Sequence, residues 1–315
     1  MKKFLKNFTT IFLIITIFIS LFIKSNTLKS SVIFSINLFI KNIFPSLFPC
    51  FLINSLLISI GIPLFLKDLF NNIFARLFKV NGISSFVFIS SFLSGFPSSS
   101  KYIKDLLDKG LININEANKI LLETFFPNPL FIINTVGIMF LNSKKIGFFI
   151  LLSQIISNII IGILVRNLYD TKVNFNKFNL KKSLKTLNDT LNNTNVIKEF
   201  LSNITPCILT LLNVFATITF FIILINLYSV SNTPLSAFIK GLIESTTGLK
   251  YLSLLNINYN IKVYLITFIL SFGSLSIHSQ IFNILNEYKV LYYPFFIVRI
   301  IHASLATLFM FLVMN

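Results

Sequence analysis

A chain of 315 residues that is 55% hydrophobic and only 12% charged, with a mean hydropathy of +0.83, is excluded from the ordinary soluble domains, where about a quarter of residues are charged. Its formal net charge of +17 would suggest nucleic acid if it formed one face of a soluble fold. The cations stand instead in loops between apolar segments, which is the positive-inside pattern of a membrane protein, so no nucleic-acid partner is expected.

Apolar runs that suit a bilayer core of about 30 Å are read at Phe8–Ile23, Ile33–Ile60, Pro129–Leu141, Gly147–Val165, Ile197–Tyr228 and Pro294–Met314. The stretches 64–126 and 234–285 are shorter or broken. Lys2, Lys3 and Lys6 followed by an apolar run also describe a signal peptide, but residues 24–30 offer no small-x-small cleavage site, so an uncleaved first helix is expected. Arg166, Lys172, Lys177, Lys181, Lys182, Lys185 and Lys198 mark a second cytoplasmic segment, which requires an even number of crossings between it and the N-terminus. Cys50 and Cys207 each follow a proline in apolar context and form neither a metal spacing nor a disulfide framework. The abundance of Phe, Ile, Asn and Lys in helices and loops alike reflects codon bias rather than a structural demand.

Two polar, helix-breaking segments end apolar runs. The first is Ser94-Gly95-Phe96-Pro97-Ser98-Ser99-Ser100-Lys101, and the second is Gly273-Ser274-Leu275-Ser276-Ile277-His278-Ser279-Gln280. At membrane depth such segments are tolerated only when buried in protein or lining a cavity. In matching positions of two halves they point to a transporter-like site at a repeat interface. Pro49-Cys50 is echoed by Pro206-Cys207, and Pro63-Leu64 by Pro234-Leu235, in the same order. The organisation read from this is an N-terminal transmembrane helix over 1–32, a first repeat over 33–165, a basic cytoplasmic linker over 166–196 and a second repeat over 197–315. Lys/Arg are denser in 62–127 than in 229–293, as two inverted repeats with broken helices and re-entrant hairpins would require.

Each candidate residue carries two readings. Gly95 permits unusual backbone angles, while Ser98, Ser99 and Ser100 are expected to cap a following helix whose free N–H groups, with Lys101, suit an anion. The plainer alternative is a helix cap with Lys101 reaching headgroups. Gly273, Ser274, Ser276, His278 and Gln280 offer neutral donors and acceptors, and His278 is either a titrating group or a hydrogen-bonded structural one. Asn128, between Pro127 and Pro129, is a site residue or a structural clamp. Glu244 with Thr247 lies in an apolar stretch, as a coupling carboxylate or at the interface, and Glu123 is a weaker candidate of the same kind. Arg299 pairs with a carboxylate, contacts an anion or snorkels. No P-loop, GxSxG, HExxH or GxGxxG is present and the two histidines make no metal site, so neither an enzyme nor a metal or other cofactor is expected.

The set Ser94-Gly95-Phe96-Pro97 with Lys101, Glu116-Ala117, Asn128-Pro129-Leu130, Gly241-Leu242-Ile243-Glu244 with Thr247-Gly248, Phe272-Gly273 with Ser276 and Gln280, Pro294-Phe295-Phe296, and Arg299 with His302 resembles the sporulation integral membrane proteins of the YlbJ type. These carry a "nucleoside recognition" or Gate domain similar to that of concentrative nucleoside transporters. The family pattern favours small residues where this chain has Ser99, Ser100 and Ser274. The resemblance implies a multi-pass protein of endospore formation, in the cell membrane or the outer forespore membrane. The implied activity is movement of a small anionic solute, with dipicolinic acid the leading candidate. The alternatives are a nucleoside carrier and a non-transporting scaffold or sensor for cortex assembly. A small-molecule solute and the lipid bilayer are the implied partners, and a homo-oligomer is compatible with this reading.

Overall fold

The computed structural model describes residues 11, 15–16, 18–20, 22–171, 173, 175, 178–228 and 233–315. Lys2, Lys3, Lys6, Lys172 and Lys177, on which the expected cytoplasmic placement partly rests, and half of the apolar run 8–23 lie outside the described residues. Among the described residues the fold is all helical. Helices long and apolar enough to cross a membrane are Ser25–Ser59, Lys144–Leu164, Val196–Tyr228, Tyr259–Ile284 and Tyr292–Met314, joined by the shorter apolar helices Ser84–Ser94, Phe131–Phe140 and Pro234–Ile243. The protein is therefore polytopic.

Helix α1 (Ser25–Ser59) runs unbroken across the boundary expected at residue 32. Its π-wound stretch Phe39–Ile43 lies just before Pro45. A proline ring clashes with the carbonyl four residues back, here Lys41, and one wider turn relieves the crowding. Helix α2 (Ile62–Phe78) starts at Gly61 and Pro63. Helices α3 (Ser84–Ser94) and α4 (Ser98–Asp108) are the two arms of the first break. Helix α5 (Ile114–Glu123) opens with a capping box of Asn113 and Glu116, which satisfies two of its orphan N–H groups. After a second break, at 124–130, come the π-wound α6 (Phe131–Phe140) and α7 (Lys144–Leu164).

The stretch read as a linker contains the helix α8 (Leu180–Asn193), capped by Asn179 and packed on α2 through a Ser183–Asp68 hydrogen bond of 2.6 Å. Its lysines, Lys181, Lys182 and Lys185, line one polar helix rather than an open tether. The second half begins with α9 (Val196–Tyr228) and a short pair, α10 (Pro234–Ile243) and α11 (Ser245–Leu254). Helices α12 (Tyr259–Phe272) and α13 (Leu275–Ile284) are the arms of the break at Gly273, and α14 (Tyr292–Met314) closes the chain.

Helix α9 packs along α1, and the two helices leave Ile40, Ile53, Leu209 and Leu212 exposed, a face that suits lipid. One core joins Phe51, Phe86, Tyr102 and Leu106 of the first half to Ile277, Ile281 and Phe295 of the second. Another joins Ile132 and Ile150 to Leu249, Ile266 and Met310. Both cores therefore join the N-terminal and C-terminal parts of the chain, and α4 packs against α13, which brings the second arms of the breaks at Gly95 and Gly273 together.

Candidate functional site

The first break is built around Gly95, with φ 79° and ψ 173°, a region open essentially to glycine alone. A Cβ there would also stand 2.5 Å from the Asn128 backbone nitrogen. Asn128 ties the first two breaks together. Its Nδ2 donates to Ser94 O at 3.2 Å, and its Oδ1 accepts from the N–H groups of Leu130 (2.8 Å) and Phe131 (3.2 Å). Those are orphan donors at the start of α6, where Pro129 has none to offer. The clamp reading of Asn128 thus has its geometry.

Ser98, Ser99, Ser100 and Lys101 are all buried. The serines do not cap α4 as expected. Pro97 occupies the N-cap position without a side-chain cap, and Ser100 Oγ donates back to Pro97 O at 2.6 Å. The charge of Lys101 is also balanced within the protein: its ammonium pairs with Asp105 one turn on, and Ser55 Oγ donates to the same carboxylate at 2.8 Å. Tyr102 closes this first-half network, 2.9 Å from Ser94 Oγ and 3.0 Å from Asn54 Nδ2.

The break in the second half has Gly273 at φ 83° and Ser274 at φ 46°, with Ser274 Oγ accepting from Ile277 N at 3.4 Å. His278 places Nε2 2.9 Å from Phe272 O and Nδ1 3.3 Å from Tyr292 Oη. Gln280 Nε2 donates to Ser276 Oγ at 3.2 Å.

Phe125, from the second break, is the centre on which these parts converge. Its ring stacks on Phe96 with centroids 4.9 Å apart and meets Phe295 at 5.7 Å and His278 at 6.4 Å. The space where Gly273 lacks a side chain is filled by the same ring. Its carbonyl accepts from Asn158 Nδ2 at 2.7 Å. Beyond it stands Arg299, fully buried, with its guanidinium 4.7 Å from the Phe125 centroid and 5.4 Å from that of Phe295. One terminal nitrogen donates to Leu122 O, while Nε and Nη1 have no partner. Beside it a polar column runs between α7, α12 and α14. Gln154 Nε2 donates to Ser271 Oγ at 2.6 Å, and His302 Nδ1 lies 3.1 Å from Ser271 O.

Glu244 and Thr247 stand apart from this centre. Glu244 is the N-cap of α11, accepting from Thr246 N at 3.0 Å and Thr247 N at 2.7 Å. Its buried carboxylate is satisfied by two orphan N–H groups at the positive end of a helix. Of the readings for Arg299, the pairing with a carboxylate is not formed; among the described residues it has no carboxylate within salt-bridge distance. The structure thus gathers Gly95, Asn128, Gly273, His278 and Arg299 around one aromatic hub and leaves Lys101, Ser276 and Gln280 in local pairs.

Sequence reasoning missed Asp105, Phe125, Gln154 and Asn158. Asp105 had a readable signal, the i,i+4 spacing from Lys101. Phe125 had none, being one of 38 phenylalanines.

The architecture defines an all-helical, multi-pass membrane protein whose helices are broken at Gly95 and Gly273. No family model matches the chain, and no solved structure matches it. The chain is 28% identical over 301 residues to the sporulation integral membrane protein YlbJ of Bacillus subtilis, covering 86% of this chain and 73% of that protein. The match supports the resemblance of this chain to the YlbJ-type sporulation integral membrane proteins.

Proposed function

We propose that this protein is a carrier of endospore formation that moves a small anionic solute, dipicolinic acid first among the candidates, across the outer forespore membrane. The observation that carries the proposal is Arg299, a fully buried guanidinium with two unpartnered nitrogens between two aromatic rings. A charged side chain deep in a bilayer costs about 2.5–3.5 kcal/mol on insertion scales, and such residues mark substrate or ion pathways. A planar fork with free N–H groups suits a carboxylate, which it can bind through two parallel hydrogen bonds. The flanking Phe125 and Phe295 rings suit a flat aromatic solute. The breaks at Gly95 and Gly273 allow the surrounding helices to part at the hub, and the two halves sharing their cores act as the moving bodies of the inverted-repeat reading.

An uncharged nucleoside would leave the guanidinium without a counter-charge, so the anion is the better fit. The test is uptake of labelled dipicolinate beside labelled uridine into proteoliposomes. Wild type is expected to take up dipicolinate. Arg299→Gln is expected to lose ten- to a hundredfold in affinity, the equivalent of about 1.5–3 kcal/mol for a hydrogen bond to a charged group. Arg299→Lys should recover little, because an ammonium offers no fork. Preference for uridine would overturn the anion in favour of the nucleoside carrier, and uptake of neither solute would favour the scaffold.

A further inference from the structure

Glu123 ends α5 fully buried, and neither of its carboxyl oxygens has a hydrogen-bond partner. Its Oε2 occupies the hollow left by a missing side chain on α7, 3.2 Å from where a Cβ on Gly162 would stand, and the Phe78 ring closes the same hollow. The neighbouring cation does not reach it. Lys119, one turn earlier and equally buried, spends its ammonium on Lys79 O (2.8 Å), Arg166 O (2.6 Å) and Thr171 Oγ1 (3.1 Å).

The elements packed against α5 supply no other donor to this carboxyl. Helix α3 and the stretch 147–164 of α7 contain no ionisable side chain. On α4, Lys101 pairs with Asp105, Lys104 pairs with Asp108 and Glu287, and the Tyr102 hydroxyl is taken by Ser94 and Asn54. On α14, Arg299 donates to Leu122 O, His302 lies against Ser271 O and Tyr292 against His278. A carboxylate without donors in such a place is prohibitively costly, so the group is neutral and carries its proton.

We propose that Glu123 is a proton-binding site coupled to solute movement through the Leu122–Glu123 peptide. The coupling half of this inference rests on the carrier reading above. Arg299 holds the Leu122 carbonyl, which belongs to the peptide that leads into Glu123. An anion that draws the guanidinium toward itself loosens that bond and frees the end of α5. Water then reaches the carboxyl, the O–H bond breaks, the proton leaves to water and the electron pair stays on the carboxylate. Lys119, one turn back, provides the nearby positive charge that makes the ionised state tolerable. Return of the empty carrier requires reprotonation from the other compartment.

The full chain in liposomes tests both halves. Dicyclohexylcarbodiimide, which attacks protonated carboxyls in apolar surroundings, is expected to add its mass to the peptide carrying Glu123. Labelling should fall as pH rises. The infrared C=O band of a protonated carboxyl is expected in wild type and should be missing in Glu123→Gln. With the membrane potential clamped, one proton per solute raises dipicolinate accumulation about tenfold per pH unit of gradient, and Glu123→Gln should abolish that dependence. Label only at other carboxyls, or a band unchanged in Glu123→Gln, would overturn the proton site. A gradient effect that survives in Glu123→Gln would overturn the coupling. If wild type takes up no dipicolinate, the carrier reading and the coupling fall together, while the label and the band still decide whether Glu123 holds a proton.

Discussion

The breaks at Gly95 and Gly273 are built alike and surrounded differently. Each ends a buried apolar helix at a glycine of positive φ and restarts a new helix, and the two restarted helices, α4 and α13, pack against each other. The first break is followed by a charge, Lys101, that looks functional in sequence but is neutralised by Asp105, whose carboxylate also accepts from Ser55. The second is followed only by neutral groups and lies against the Phe125 ring, behind which the unpaired Arg299 stands. A cation beside a break therefore says little until its partner is known. The cation that keeps unpartnered N–H groups sits in the unbroken closing helix, where α14 reaches the hub.

The sharpest way to break this comparison is to strand Lys101. Removing one partner of a buried ion pair typically costs 3–5 kcal/mol, because the other charge is left without compensation. Asp105→Ala should therefore destabilise the fold by about 3–5 kcal/mol, read as a fall in the thermal unfolding midpoint in detergent. A double change, Lys101→Met with Asp105→Leu, should recover most of that loss, with dipicolinate uptake retained. If Lys101→Met alone leaves stability intact and removes uptake, the roles assigned to Lys101 and Arg299 are reversed.

The two glycines offer a second, smaller contrast. Gly95→Ala forces a Gly-only conformation, worth about 1–3 kcal/mol, and also drives a methyl into the Asn128 backbone, which has little room to move. Gly273→Ala costs about 1–2 kcal/mol in backbone strain, and its methyl meets the far end of the Phe125 side chain rather than backbone. The first variant should unfold at lower temperature than the second. Equal losses would mean that the second break is as tightly held as the first.

The smallest effect is expected where the arms meet at the surface. Lys104 pairs with Glu287 at 2.6 Å across the two halves, and Tyr288 donates to Asp108. That hydrogen bond to Asp108, with a lesser contribution from burial, pushes the Tyr288 phenol up to about 12. A double-mutant cycle on Lys104 and Glu287 should return about 0.2–1 kcal/mol, screened by salt. A larger coupling would make this bridge, rather than the hub, the contact that holds the second arms of the breaks together.

Much of the frame was legible in the chain. Apolar runs of spanning length announce membrane helices because lipid leaves a backbone no partner but itself. Glycine and proline announce breaks because they alter the backbone directly, and Gly95, Pro97, Gly273 and Pro127 to Pro129 all lie at breaks. The capping roles of Asn113 and Asn179 follow local rules of the same kind. The helix α8 inside the supposed linker was less legible, since its polarity resembles that of a loop and only its packing on α2 distinguishes it.

What the sequence by itself determined is the class of protein and the places where helices end, because each depends on neighbours within a few residues or on hydrophobic length. The tertiary structure alone decided which polar groups are spent and which are free. Lys101 and Glu244 are satisfied within a turn, one by a side chain and the other by helix N–H groups. Arg299 and Glu123 keep unpartnered atoms because α5, α7 and α14 enclose them without donors or acceptors to match. A hydrogen bond reaches only about 3 Å, and which atoms come within that distance across a helical bundle is settled by packing rather than by order along the chain.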